Sequence, residues 1–291
     1  MQFTVIIPAH NEAQVIERCL ACLLEGAPDN GKMQIIVAAN GCNDKTASIA
    51  RASAPNAIVL ELAEGSKPRA MNAAKAIAEH PICIFLDADV RCDYSSLDAL
   101  AKTLAEPGVM AASPALRMDL SRSNGLVNAY YRVWLNLPYI TDRMVGSGCF
   151  GLSTQAMRRL GDFPAIIGDD VWVRSRLEYS ERRTVSESKD GTPAFFIVSP
   201  PRSLLDQIRV ETRRRIGNKQ VDALIAHDAE AQNHRGAHSW SDIVNTRNKG
   251  ASWFDICVYL CAKAAVIART EWSGMRGAKP QWERDLAARE V

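Results

Sequence analysis

The sequence has no apolar segment long enough to cross a lipid bilayer. Its longest apolar stretch covers residues 256–267 and includes Lys263, whereas a membrane-spanning helix needs about 20 apolar residues. A signal peptide is also missing, because Met1-Gln2-Phe3 leads directly into a predicted strand. We therefore expect a cytoplasmic protein.

The chain has no strong excess of either charge. Its 35 Lys and Arg side chains nearly balance 33 Asp and Glu side chains, which leaves a net charge of +2. A dedicated nucleic-acid-binding protein is usually strongly basic, so we expect no nucleic-acid partner. The 291 residues suffice for one large core with an extension.

The eight cysteines lack the spacing of a typical zinc site. Cys19-x-x-Cys22 has no second pair at zinc-finger distance along the chain. Cys19, Cys22, Cys83, Cys257 and Cys261 lie in apolar strand or helix patterns, where free cysteine behaves as a small hydrophobic residue. We expect these five to be core residues.

The first ninety residues repeat a pattern of strand, polar loop and helix. The sequence predicts strands at 3–8, 34–38, 57–62 and 82–86, and helices at 13–24, from 46, and at 68–79. This alternation is typical of a doubly wound, mainly parallel α/β sheet. Because ligands bind beyond the carboxyl ends of such strands, we expect the polar loops to form one composite site.

Asp87-Ala88-Asp89 follows the last of these strands. Two carboxylates at this spacing on an extended strand end project the same way and suit one divalent cation. A hard cation held by one or two carboxylates usually completes its shell with water and substrate phosphate. The motif therefore indicates either a metal-dependent nucleotide site or a solvated turn.

Five short motifs, in order, resemble the inverting family 2 glycosyltransferases of the GT-A fold. Residues 7–12 look like that family's opening nucleotide loop, and residues 40–46 resemble its second donor loop. Residues 87–89 are similar to its metal motif, residues 146–151 to its acceptor loop, and residues 168–170 to the segment that carries the catalytic base. The resemblance covers about residues 3–220.

The resemblance implies an α/β GT-A fold with a mainly parallel sheet flanked by helices. We expect a catalytic domain at residues 1–200, with a nucleotide-sugar-binding half at about 1–92 and an acceptor half at about 93–200. Residues 201–291 are expected to form a helical C-terminal extension.

The resemblance also implies which side chains bind the substrates. Those expected to contact the nucleotide-sugar donor are Pro8, Ala9, Asn11, Glu12, Asn40, Lys67, Asp87, Ala88 and Asp89. Those expected to contact the acceptor are Gly146, Ser147, Gly148 and Asp169. Asp89 is the expected direct ligand of Mn2+ or Mg2+, while Asp87 holds the ribose or a metal-bound water.

Asp170 is the expected general base. It lies near the N-terminus of a predicted helix, where the helix dipole stabilises a carboxylate that is ready to accept a proton. Because helix caps use the same residue types, a purely capping role for Asp169 and Asp170 is the alternative.

Two departures from the family pattern limit the assignment. Asn40 stands where an acidic residue often contacts the nucleotide base, so UDP and GDP both stay open. Gln207 is followed by Arg213, Arg214 and Arg215 without the tryptophan of processive synthases. We therefore expect transfer of a single sugar.

The C-terminal third is basic and aromatic. Arg213 and Arg214 are expected to bind a diphosphate, either of the nucleotide or of a lipid-linked acceptor, with a solvated basic helix as the alternative. No feature selects His227, His234 or His238 as a further metal ligand. The aromatic side chains near the apolar run, including Trp253 and Phe254, suit peripheral contact with the inner face of the plasma membrane or packing on the catalytic domain.

The expected function is that of an inverting, metal-dependent glycosyltransferase. It would move one sugar from a UDP- or GDP-sugar to a glycan, lipid-linked or small-molecule acceptor. A sugar-1-phosphate nucleotidyltransferase is one alternative, although residues 8–12 lack the Gly-rich loop with Arg and Lys of such enzymes. A non-catalytic carbohydrate-binding relative is another, against which the intact Asp89 and Asp170 argue.

Overall fold

A computed structural model of the protein describes residues 1–28, 30–234 and 239–275. The strands are β1 (Phe3–Ala9), β2 (Met33–Asn40), β3 (Ile58–Leu62), β4 (Cys83–Leu86), β5 (Arg91–Cys92), β6 (Ala111–Met118), β7 (Cys149–Leu152), β8 (Arg182–Val185) and β9 (Phe195–Val198). The helices up to the end of the sheet are α1 (Ile16–Leu24), α2 (Thr46–Ser53), α3 (Lys67–Ala76), α4 (Tyr94–Leu104), α5 (Gly125–Trp134), α6 (Pro138–Thr141), α7 (Thr154–Leu160) and α8 (Asp169–Ser175). Those that follow are α9 (Leu204–Leu224), α10 (Ala229–His234), α11 (Trp240–Asn245) and α12 (Trp253–Met275).

The strands form one mixed sheet in the order β3-β2-β1-β4-β7-β6-β9-β5, with β8 also pairing β6. The first four are parallel to one another, as the sequence predicts. β7 runs antiparallel between β4 and β6. The loop before β7 therefore lies beside the carboxyl end of β4.

Alternate side chains of β1 enter two apolar layers, one on each face of the sheet. Val5 and Ile7 belong to the layer that includes α1 and α4, and Ile6 to the layer that includes α3 and α8. This follows from the two-residue side-chain period of a strand. A strand covered on both faces needs a continuous apolar run, and β1 is buried throughout.

The last long helix packs against the sheet domain through two other helices. α12 runs parallel to α9, since Lys263 pairs with Glu211 and Glu271 pairs with Lys219. It runs antiparallel to α5, since Arg132 pairs with Asp255 and the ring of Tyr130 lies 5.1 Å from that of Tyr259. The described part of the expected C-terminal extension is therefore mainly helical. Residues 276–291 of that extension lie outside the described residues.

The core assignment of two cysteines is wrong. Cys19 and Cys83 are buried and Cys22 is half-buried, but Cys257 and Cys261 are exposed. Both exposed residues lie on the face of α12 that turns away from α5 and α9. A helix with a mostly apolar sequence can still bury only one of its sides, so the apolar pattern did not show that these two cysteines face solvent. Within the described residues, no helix is long and apolar enough to span a membrane.

Candidate active site

A cavity of about 500 Å³ lies at the carboxyl edge of the parallel strands. It is lined by the loops that follow β1, β2, β3 and β4, by the loop before β7, and by residues of α8, α9 and α12. The composite site expected from the polar loops is therefore present as one space.

Most of the expected donor residues line this cavity. They are Pro8, Glu12, Asn40, Lys67, Asp87, Ala88 and Asp89. Ala9 and Asn11 do not line it. Ala9 is buried in β1, and Asn11 accepts a hydrogen bond from the Asn43 amide at 2.7 Å, which ties the first donor loop to the second.

Asn40 is fully engaged by backbone groups. Its Nδ2 donates to the carbonyl oxygens of Ala9 (2.9 Å) and Ala38 (3.1 Å), and its Oδ1 accepts from the Ser66 amide (2.9 Å). The side chain is also buried. Asn40 thus holds the loop before α3 against β1 and β2, whatever further contact it makes with a nucleotide.

Lys67 joins the donor side of the cavity to the segment of the expected base. Its Nζ lies 2.8 Å from Asp87 Oδ1 and 3.1 Å from Asp169 Oδ2. Burial alone would lower the pKa of Lys67, but the carboxylates of Asp169 and Asp87 outweigh it and raise that pKa. Lys67 therefore stays charged.

Asp169 has a shifted pKa of its own. Burial raises the pKa of Asp169 to about 6 against the opposing charge of Lys67, and the neighbouring carboxylates of Asp170 and Asp87 add to the rise. At neutral pH the carboxylate is therefore ionised. It faces Lys67, so in this arrangement it holds the lysine in place.

The loop at residues 146–148 connects the two sides. The Gly148 carbonyl accepts a hydrogen bond from the Asp87 amide at 2.8 Å. In the middle of the loop, the Ser147 amide donates to Asp170 Oδ2 at 3.3 Å. Gly146 has a φ of 127°, and a Cβ there would overlap the Asp170 carboxylate. Glycine is required because only a bare backbone fits this approach.

Neither aspartate at the start of α8 is the N-cap residue of the helix, which is Gly168. Asp170 Oδ1 accepts from the adjacent Val171 amide at 2.8 Å, and the residue lines the cavity. Asp170 therefore contacts both a first-turn amide of α8 and the cavity, and a purely capping role for Asp169 and Asp170 stays the alternative.

The structure adds cavity residues that the sequence does not single out. Arg213 and Arg214 line the cavity, and so do the charged residues Arg174, Glu211 and Lys263. An aromatic group completes this wall: Tyr131, Trp134 and Tyr139. Only the cavity position of Arg174 had a signal in the sequence. Arg174 follows Asp170 by four residues, which places both residues on the same face of a helix.

Glu211 is buried and holds two of these cations. It accepts from Lys263 Nζ at 2.6 Å and from Arg214 at 3.0 Å. Burial alone would raise the pKa of Glu211, but Lys263 and Arg214 outweigh it and lower that pKa to about 2. This ionic group connects α9 to α12.

Neither described histidine of the C-terminal third lies in the cavity. His227 and His234 are absent from its wall, and His238 lies outside the described residues. His234 instead lies near Glu178 and Glu230, with ligand atoms within 4.8 Å of one another.

Comparison with known proteins decides the family. The sequence model described as "Glycosyl transferase family 2" matches residues 4–157. The chain belongs to this family. The protein is therefore a glycosyltransferase, and the nucleotidyltransferase alternative loses its support. No curated protein matches the glycosyltransferase chain.

Solved structures share the fold of this glycosyltransferase. A mannosyltransferase from Pyrobaculum calidifontis, solved with GDP-Man and Mn2+, has a TM-score of 0.59 at 22% identity, covering 95% of this chain and 79% of that one. Glucosyl-3-phosphoglycerate synthase from Mycobacterium tuberculosis, solved with Mn2+, UDP and phosphoglyceric acid, has a TM-score of 0.52 at 18% identity, covering 82% of this chain and 80% of that one. The GT-A fold expected from the sequence is confirmed.

Proposed function

We propose that this glycosyltransferase moves one sugar from a UDP- or GDP-sugar to an acceptor hydroxyl, with inversion at the anomeric carbon. One observation carries the proposal: Asp89 and Asp170 line the same cavity, and the loop at residues 146–148 bonds both to Asp170 and to Asp87 of the Asp87-Ala88-Asp89 motif. The donor classes agree with the GDP-Man and UDP complexes of the two structural relatives.

The residues present fit a divalent cation. Asp87 and Asp89 offer oxygen ligands on the cavity wall, which is the ligand type preferred by Mn2+ and Mg2+. We assign Asp89 as the direct ligand and Asp87, whose carboxylate also pairs with Lys67, as the supporting one. When bound, the ion would supply charge neutralisation for the leaving diphosphate.

The chain's own residues perform the remaining steps. The donor loops hold the nucleotide, and the backbone at residues 146–148 positions the acceptor. Asp170 takes the proton from the acceptor hydroxyl as that oxygen forms a bond to the anomeric carbon. The bond from this carbon to the diphosphate oxygen breaks, and the nucleoside diphosphate leaves with its electron pair. Attack from the face opposite the diphosphate inverts the configuration.

Single transfer and the acceptor class belong to the proposal as well. The segment from Gln207 to Arg215 lacks the tryptophan of processive synthases. Glycan, lipid-linked and small-molecule acceptors all fit a hydroxyl nucleophile. We also propose that the exposed aromatic side chains at the start of α12 contact a membrane surface, which would place the enzyme at the inner face of the plasma membrane.

Metal-dependent nucleotide binding tests the proposal. We expect UDP or GDP to raise the melting temperature in the presence of Mn2+ and less so with EDTA. Asp89→Ala should bind nucleotide equally weakly under both conditions. If the wild-type protein binds neither nucleotide, or if Asp89→Ala retains the metal dependence in calorimetry, the assignment is wrong. The anomeric configuration of the product, read by NMR, tests inversion.

A further inference from the structure

The charges of the cavity are divided between its two sides. The donor side and the segment of the base carry Glu12, Asp87, Asp89, Asp169 and Asp170, with Lys67 as their cation. The side formed by the later part of α8, by α9 and by α12 carries four cations and one carboxylate: Arg174, Arg213, Arg214, Lys263 and Glu211. The negative side suits a metal ion, whereas the positive side needs a different, anionic ligand.

Arg174 is the residue of this positive side that is best placed for the acceptor. It follows Asp170 by four residues on α8, so the two residues lie on one face of the helix, about 6 Å apart along its axis by the helical rise. Its Nε is buried and donates to no acceptor within the part of the chain that the structure describes. A buried donor of this kind is costly unless a ligand satisfies it.

Two further cations of this side, Arg214 and Lys263, outnumber the carboxylate that lies between them. Arg214 and Lys263 share the single carboxylate of Glu211, which leaves an excess of positive charge. The guanidinium carbon of Arg214 lies 5.7 Å from the centre of the Trp134 ring. This positive group thus borders an aromatic wall, on which the apolar face of a sugar or an alkyl group can pack.

We propose that the acceptor carries a phosphate group, which Arg174 and Arg214 bind while Asp170 deprotonates the hydroxyl of the same molecule. The inference rests on the proposed function, because it gives the acceptor of that reaction its chemical class. Arginine recognises phosphate through two parallel hydrogen bonds. The spacing on α8 places this phosphate about one helical turn from the attacking hydroxyl. The phosphate belongs either to a soluble metabolite or to a lipid-linked acceptor.

Calorimetry with methyl phosphate tests the site. We expect methyl phosphate to bind the full chain already saturated with UDP or GDP and Mn2+. Arg174→Gln should lose about 10-fold or more in this affinity, and Arg174→Lys should lose less. Arg176→Gln is the matched control, because Arg176 pairs with Asp228 at 2.6 Å and does not line the cavity. Melting temperatures of all variants verify folding.

The outcomes separate this inference from the proposed function. If nucleotide binds but methyl phosphate does not, or if Arg174→Gln binds it as wild type does, the phosphate subsite is wrong. If methyl phosphate competes with UDP or GDP, the arginines bind the donor diphosphate and the inference also fails. A protein that binds neither nucleotide refutes the proposed function instead, and methyl phosphate is then titrated alone. Tighter binding of decyl phosphate indicates a lipid-linked acceptor, and equal binding a soluble one.

Discussion

At the scale of single residues, substitution of Asp170 should affect turnover and donor binding differently. Asp170→Asn should lower kcat by about 10²–10⁴-fold, the usual contribution of a general base, with donor affinity nearly unchanged. Asn keeps one acceptor oxygen for the Val171 amide and gives up the longer bond from the Ser147 amide, so the free energy of unfolding should change by about 1 kcal/mol. Release of nucleoside diphosphate, donor affinity and melting temperature are the measurements.

The surface variant Asp162→Asn is a suitable control, because its carboxylate is exposed and pairs only with Lys75 among the described residues. Turnover of Asp170→Asn within about threefold of wild type would remove Asp170 from the mechanism. Asp169 would then be the next carboxylate to test.

Gly146 is a second residue whose effect can be predicted. Gly146→Ala places a Cβ against the Asp170 carboxylate, at a φ of 127° that favours glycine. We expect Asp170 to be displaced, and a shift of about 1 Å in a catalytic group costs about 10²-fold in rate. Gly161→Ala provides the comparison, since Gly161 also has a positive φ of 65° but open space around it. Equal activity of the two variants would contradict the close fit.

The sequence predicted which residues line the cavity better than it predicted the contacts that each side chain makes there. Asp87, Asp89 and Asp170 follow motif spacing, and the cavity contains all three. Asn40 also lies in a motif, yet its amide serves three backbone groups. Those partners come from β1, β2 and the loop before α3. These three groups meet only in the folded structure, so the sequence could not predict their hydrogen bonds with Asn40.

At the scale of secondary structure, α9 and α12 meet around one buried carboxylate. The pKa of Glu211 is held at about 2, below its ordinary 4.5, so the stability it contributes is present above pH 4.5 and is lost as pH falls toward 2. We expect Glu211→Gln to lower the free energy of unfolding by about 3 kcal/mol at pH 7. This difference from wild type should shrink between pH 4.5 and pH 2.

Urea denaturation at pH 7, 5, 4 and 3 measures this difference. Glu271→Gln is the matched control on α12, because its ion pair with Lys219 is exposed and should matter little at any pH. A constant difference between Glu211→Gln and wild type across this range would show that the carboxylate charge does not hold the two helices together.

The elements were predictable where local patterns decide them. The parallel strands β1 to β4 follow from apolar runs ended by polar loops, and α9 begins at Leu204, near the start of the helical extension expected from residue 201. The insertion of antiparallel β7 between β4 and β6 depends on long-range pairing, which has no local signal. The cavity positions of Arg174 and Lys263 likewise depend on packing. The sequence pattern around a cation on an amphipathic helix is the same whether that cation faces solvent or a substrate.

At the scale of the whole molecule, the C-terminal extension is part of both core and site. Val221 and Ile225 of the α9 region join the apolar layer that includes α8, and Tyr259 of α12 joins the opposite layer. Lys263 reaches the cavity itself. The boundary expected at residue 200 therefore separates two parts in sequence that are joined in packing, and it stays a prediction as a domain boundary.

The outer end of this extension gives the last prediction, which concerns membrane contact. Trp253 and Phe254 are each 61% exposed at the start of α12. The guanidinium carbon of Arg247 lies 4.9 Å from the centre of the Trp253 ring. Aromatic side chains beside basic ones favour the interface of an anionic bilayer. We expect the protein to float with phosphatidylglycerol vesicles at low salt and to be released at high salt, where such attraction is screened.

The double variant Trp253→Ser/Phe254→Ser should lose this binding while retaining its fold, because both side chains are exposed in the wild-type protein. Trp272→Ser tests whether any exposed aromatic has the same effect, since Trp272 lies 19 positions along the same helix, or about 28 Å away by the helical rise. Vesicle binding that survives in the double variant, or that is absent from wild type, would mean that α12 serves the catalytic domain alone. Equal loss in the double variant and in Trp272→Ser would instead indicate a contact along the whole exposed face of the helix, with no special role for its start.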